Sequence, residues 1–344
     1  MEQQLKILSP VDRPSETQAL IDCGADELFC GVLSDKDSHG SQGLNRRGGL
    51  FFNLHSYKEL EEVLKTAKKN NILLYLAINE FYTEEALHYA EQQVINSLDI
   101  GVNNFIISDL GLLHFIKEKS PLANIVMSIG STSFNTETIN FYANLGAKRV
   151  VIDRELTIKE IATISENSSI PLEVIILNDK CPFIDGFCNF MHNLPVKGIM
   201  SMINNPRYFY MLKGVSAILP SEIKGKFGKN YRGCELDYFI KYKDNDSLKN
   251  SLLNYGTRSL RNKFFLDSCG ACNVYDLFNA NIRYFKIAGR GKTLEKKRKD
   301  ILLLNYAREL LYKSVAKEDF YLNVRDFRKR LFGMTCKPPA QCYY

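Results

Sequence analysis

Over its first 180 residues the chain alternates short apolar runs with amphipathic stretches at an even spacing, and this rhythm constrains the fold more than any other feature. The apolar runs are Leu5–Leu8, Glu27–Gly31, Ile72–Ile78, Asn104–Ile107, Ile125–Met127, Arg149–Ile152 and Leu172–Ile176. Between them lie helical patterns. Tyr57–Asn70 places Leu60, Val63, Leu64 and Ala67 on one face, and Ser56 followed by Glu59 reads as a capping box. Thr83 is the expected N-cap of Ala86–Leu98, and Leu110–Glu118, Thr136–Leu145 and Thr157–Ser165 complete the series. Repeated strand–helix units imply parallel strands joined by right-handed crossovers. Seven units at short, even spacing favour a closed (β/α) barrel of the TIM type over an open doubly wound sheet.

Two segments break the rhythm. Asp35–Gly49, rich in Gly, Ser and Asn, carries Arg46 and Arg47. It follows the second strand, so a barrel would place it on the face where sites are built. The second break, residues 181–263, shows little periodicity. Regular patterns return with Phe264–Leu266, a helix near Val274–Asn279, a strand Tyr284–Ile287 and a helix over Leu294–Lys313. The expected organisation is therefore a barrel over 5–313 that includes the insertion 181–263, with 314–344 as a tail packed on it. No apolar run approaches the ~20 residues of a membrane span, and the first ten residues lack the pattern of a secretory signal. A cytoplasmic location is expected.

Nine cysteines are many for such a compartment, where disulfides are rare. Cys181 and Cys188, with Gly186 between them, follow directly on a strand. Cys234 lies in the insertion, and Cys269 and Cys272 form a Cys-x2-Cys pair. Four thiolates suit either a structural zinc or an iron–sulfur cluster. Cys336 and Cys342 in the tail, with Cys272, form a candidate second metal site, while Cys23 and Cys30 read as core packing. The five histidines are scattered, with none at i, i+4 from another, and no nucleophile elbow or Walker loop is present. Gly289-Arg290-Gly291-Lys292 precedes a helix and is a candidate anion-binding turn. Residues 281–330 carry fifteen Lys and Arg against six Asp and Glu, a balance that suits either a phosphate backbone or a solvated helix face.

Several short motifs in order resemble peptidase family U32: Gly24-Ala25-Asp26, Ser108-Asp109-Leu110-Gly111, Gly146-Ala147-Lys148-Arg149 and Arg154-Glu155-Leu156. The family signature, a Glu eight residues before a Cys and a second Cys seven after it, is matched by Glu173, Cys181 and Cys188. Cys234-Glu-Leu-Asp-Tyr238 resembles the third cysteine segment, and Cys269 stands seventeen residues before Lys286, as the family's fourth cysteine stands before its Lys-Ile-Glu-Gly-Arg. The resemblance implies Cys181, Cys188, Cys234 and Cys269 as ligands of a 4Fe-4S cluster, zinc being the alternative from the thiols alone. The chain departs from the family in reading Lys286-Ile-Ala288-Gly-Arg290, which lacks the carboxylate, and Ser128-Ile129-Gly130 in place of Ser-Thr-Gln.

Family branches support oxygen-independent hydroxylation of a transfer-RNA uridine, a ribosomal-RNA cytidine or ubiquinone precursors, so the resemblance implies a redox enzyme or redox subunit. In that reading Arg154, Lys286 and Arg290 line the mouth and hold an anionic substrate or oxygen donor, while Glu155 and Glu173 handle protons or orient those cations. The basic C-terminal half favours RNA, with an electron-donor protein or a family-related subunit as further partner. The alternatives are a peptidase, for which His192 is the sole neighbour of Cys181 and Cys188 in sequence, and a zinc-stabilised RNA-binding module.

Overall fold

The structure is a computed structural model that describes residues 4–33, 44–47, 51–181, 184–188, 268–333, 336 and 342–344. Among these, eight parallel strands close a barrel in sequence order. They are β1 (Lys6–Pro10), β2 (Glu27–Cys30), β3 (Leu73–Ile78), β4 (Asn104–Ile107), β5 (Asn124–Met127), β6 (Arg149–Val151), β7 (Leu172–Leu177) and β8 (Tyr284–Ile287). The barrel shuts where β8 pairs with both β7 and β1. The helices between them are α1 (Thr17–Asp22), α2 (Tyr57–Lys69), α3 (Glu84–Ile100), α4 (Leu110–Lys119), α5 (Thr136–Asn144) and α6 (Ile158–Asn167). Val274–Asn279 (α7), Leu294–Tyr312 (α8) and Lys317–Phe332 (α9) follow. The expected TIM-type barrel is thus the observed fold. The short α1 has no signature in the sequence reading, and the expected strand Phe264–Leu266 lies outside the described residues.

Local chemistry starts the helices where the sequence places them. Ser56, Thr83, Asp109, Asn135 and Thr157 each accept a hydrogen bond from a first-turn amide, and Thr157 with Glu160 forms a reciprocal capping box. Strand side chains sort by their period of two. On β3, Leu74, Leu76 and Ile78 face the helix layer, while Tyr75 and Ala77 enter the lumen. Leu8, Phe29, Ile106, Val126, Val151 and Ile175 share that lumen, which explains why strands buried on both faces read as nearly unbroken apolar runs.

The described part of the tail contains a helix. α9 packs on α8, with Tyr306 stacked on Phe327 at 4.2 Å between ring centroids. Beyond it, Tyr343 is buried within the lumen cluster beside Ile175. Part of the basic balance of 281–330 is held in ion pairs. Lys297 is fully buried between Asp12 (2.5 Å) and Glu16 (2.7 Å), Arg308 pairs with Asp26 (2.7 Å), and Lys317 with Asp276 (2.6 Å). No helix of the described residues is long and apolar enough to cross a membrane.

Candidate functional site

The same period of two that fills the lumen builds the site. Glu27, Arg149, Glu173 and Tyr284 enter the barrel one layer below Phe29, Val151, Ile175 and Lys286. In the lower layer the Arg149 guanidinium lies 2.7 Å from Glu27 and 2.9 Å from Glu173, stacked 4.1 Å from the Tyr284 ring centroid. Burial opposes its charge, but the two carboxylates outweigh it and hold Arg149 above its ordinary value. Glu173 is wholly buried and also reaches Lys286 at 3.3 Å. The second residue of β7 therefore orients the mouth lysine from beneath.

Above this floor a cavity of about 120 Å³ opens at the carboxyl ends of the strands. Five cations line it, Arg46, Arg47, Arg154, Lys286 and Arg290, against two carboxylates, Asp179 and Asp185. Arg154 donates to Asp185 at 2.6 Å, to the Asp179 carbonyl and to the Tyr343 hydroxyl at 3.4 Å. Burial works against its charge, yet Asp185 and its neighbours raise it overall. Arg46 donates to the Asp185 carbonyl at 2.6 Å, and Arg47 reaches the Asp179 carboxylate at 2.9 Å. Asp179 and Asn178 both adopt left-handed backbone at the end of β7 (φ 47° and 65°), a sparsely populated conformation that Asn and Asp tolerate best.

Arg290 differs from the other arginines. It is 8% exposed and donates to the amide oxygens of Asn45 (2.8 Å) and Asn53 (3.3 Å). Among the described residues no carboxylate stands within ion-pair distance of it. Burial, with Arg47 nearby, lowers it to about 10, and burial also lowers Lys286 despite Glu173. Two glycines make room for these guanidiniums. A Cβ on Gly31 would stand 2.6 Å from Arg290 Nη1, and one on Gly130 would stand 3.0 Å from Arg46 Cζ. Gly130 thus vacates, where the family motif has Gln, the space that Arg46 borders.

Cys181 and Cys188 line this mouth on the same face as Arg154. Gly186 between them serves close approach rather than unusual backbone: a Cβ there would meet Thr132 Oγ1 at 1.5 Å, and its φ is not positive. Cys269 lines a second cavity with Cys272, Cys336 and Cys342, and Cys234 lies outside the described residues. Among the described residues, Cys181 and Cys188 thus line the mouth and Cys269 the second cavity. Glu155 is exposed and outside the cavity lining, because Arg154 turns inward and its neighbour outward. Cys23 and Cys30 are buried in the core. The Gly289–Lys292 turn has its Gly291 amide 2.6 Å from Asp12, so that donor is already taken. Sequence reasoning did not single out Asp179, Asp185, Asn45 or Tyr343. Asp185 had one visible signal, its place inside the Cys181–Cys188 motif.

The profile of peptidase family U32 matches residues 13–336. The chain belongs to peptidase family U32. Among relatives in this family, an uncharacterized protease of Methanocaldococcus jannaschii is 30% identical over 54% of this chain and 43% of its own length. A tRNA hydroxylation protein P of Helicobacter pylori is 26% identical over 54% of this chain and 42% of its own. A 23S rRNA 5-hydroxycytidine synthase of Escherichia coli is 22% identical over 85% of this chain and 37% of its own. The chain thus spans less than half the length of these U32 relatives.

Proposed function

We propose that this U32 protein is an enzyme that hydroxylates an RNA pyrimidine base, with its barrel mouth holding an anionic group of the substrate or of the oxygen donor. The observation that carries the reading is Arg290, a buried guanidinium held only by amide oxygens among the described residues and set beside Arg47 and Lys286. A buried charge without a counter-charge is costly, and an incoming anion removes that cost. The relatives named for RNA hydroxylation supply the reaction class.

Replacing C–H by C–OH takes up one oxygen atom and withdraws two electrons, so the reaction needs an oxygen donor and an electron route that side chains do not supply. The chain's own part is positioning. Arg290, Arg47 and Lys286 grip the anion, and Glu173 aims Lys286 from below. The Arg154–Asp185 pair fixes the cysteine loop over the cavity. For peptide hydrolysis no histidine lines the mouth among the described residues: His55, His88 and His114 lie beside glutamates elsewhere.

The test is nucleoside mass spectrometry of total RNA from a strain that lacks the gene, complemented with wild type or with Arg290→Met. The expected result is a hydroxylated pyrimidine nucleoside that disappears on deletion, returns with wild type and does not return with the variant. An unchanged nucleoside profile on deletion overturns the reading.

A further inference from the structure

A second cavity, of about 170 Å³, lies between the turn Ala271–Asn273 and α9, away from the mouth. Four thiols border it: Cys269, Cys272, Cys336 and Cys342. They come from two separated stretches of sequence that the backbone ties together. Cys269 bridges Leu177 on one side and Cys342 on the other, and the Tyr343 amide donates to the Cys269 carbonyl at 3.2 Å. A Cβ on Gly270 would stand 2.9 Å from Tyr343 Cβ and 2.6 Å from Ile176 Cδ1, so only glycine lets these segments close up.

The neighbouring charges are those that thiolates require. Arg328 is 4% exposed, and its Nη1 lies 3.6 Å from Cys336 Sγ. Among the described residues its hydrogen-bond partner is this sulfur, not a carboxylate, although a buried guanidinium demands a counter-charge. Arg325 hydrogen-bonds Cys272, and the Ala271 amide donates to the Cys269 sulfur, as in a turn whose amides support a metal-bound thiolate. Four neutral thiols would leave Arg328 unbalanced, whereas four thiolates around a metal carry net negative charge.

We propose that Cys269, Cys272, Cys336 and Cys342 form a four-thiolate centre for a thiophilic metal, zinc or an iron–sulfur cluster, that clamps residues 342–344 onto the barrel. All four thiols are free, and none of the described His, Cys, Asp or Glu side chains yet stand three together in metal-binding geometry, so the thiols rotate inward as the metal enters. The binding releases their protons. The clamp has a consequence at the mouth, because Tyr343, next to Cys342, hydrogen-bonds Arg154 there and Tyr344 lines the metal cavity.

The test is metal and acid-labile sulfide analysis of the anaerobically purified full chain. The expected result is one zinc, or iron with sulfide, per chain at this centre, lost in Cys272→Ser and in Cys336→Ser and unchanged in Cys181→Ser. The sulfide assay separates cluster from zinc. Unchanged metal content in both tail-cavity variants overturns the proposal. Because a variant can fail to fold, the wild-type chain is also alkylated before and after metal stripping with chelators. Peptides carrying Cys272, Cys336 and Cys342 should react at least about tenfold faster after stripping. Equal rates, or a mass showing disulfides among these cysteines, overturn it. Neither readout depends on hydroxylase activity, so its outcome is independent of the functional reading.

Discussion

Arg154 and Asp185 lie thirty-one residues apart in sequence and form an ion pair of 2.6 Å with both side chains nearly buried. The pair joins the loop after β6 to the loop that carries Cys181 and Cys188. Removing the carboxylate by Asp185→Ala leaves Arg154 buried without its counter-charge. Such losses cost about 3–5 kcal/mol. Urea unfolding should show a lower midpoint with an unchanged slope, and a midpoint equal to wild type would refute the bolt.

Arg149→Met should destabilise the barrel floor by a similar ~3–5 kcal/mol at neutral pH, because it strands Glu27 and weakens the pairing of Glu173. The deficit should depend on pH. Burial already pushes Glu27 up while Arg149 pulls it down, so without Arg149 its folded pKa rises further above the unfolded one. A folded carboxyl with a raised pKa is stabilising in its protonated form and loses that contribution as pH rises through its folded pKa. Denaturation at pH ~8 should therefore show a larger gap between variant and wild type than at pH ~5.

The mouth should bind a simple dianion. Sulfate keeps its charge across the range, so its affinity reports only the protein. Lys286 is lowered by burial and Arg290 to about 10, so affinity should fall as pH rises toward that value. Over the same range stability changes the other way. A cation whose folded pKa is depressed costs most while charged, and the cost fades as pH rises through that pKa. Lys286→Met should weaken sulfate binding about tenfold near neutrality, as expected for one charge-assisted hydrogen bond, and should flatten the pH profile. Calorimetric titration measures both, and equal affinity in wild type and Lys286→Met would exclude an anion site.

Much of the architecture was legible before the structure. The spacing of apolar runs, the caps at Ser56 and Thr83, and the switch between periods of two and 3.6 are properties of neighbouring residues. Helix α9 has a thin apolar stripe, which gives the sequence little helical periodicity to show there. Only Phe320, Val324 and Arg328 of it are buried, and one of these is charged.

The sequence by itself determined the barrel, the place of Arg154, Lys286 and Arg290 at its mouth, and the core burial of Cys23 and Cys30, because each follows from local pattern or from motif order. Only the tertiary structure decided which charges meet. Glu173 sits beneath the cavity rather than in it, Arg290 meets amide oxygens among the described residues where Arg154 meets Asp185, and Cys269 lines the cavity of the tail cysteines. The physical reason is that barrel closure brings side chains from strands and loops far apart in sequence to within a few ångströms. Electrostatic partners at that range depend on three-dimensional position, and no periodicity along the chain encodes it.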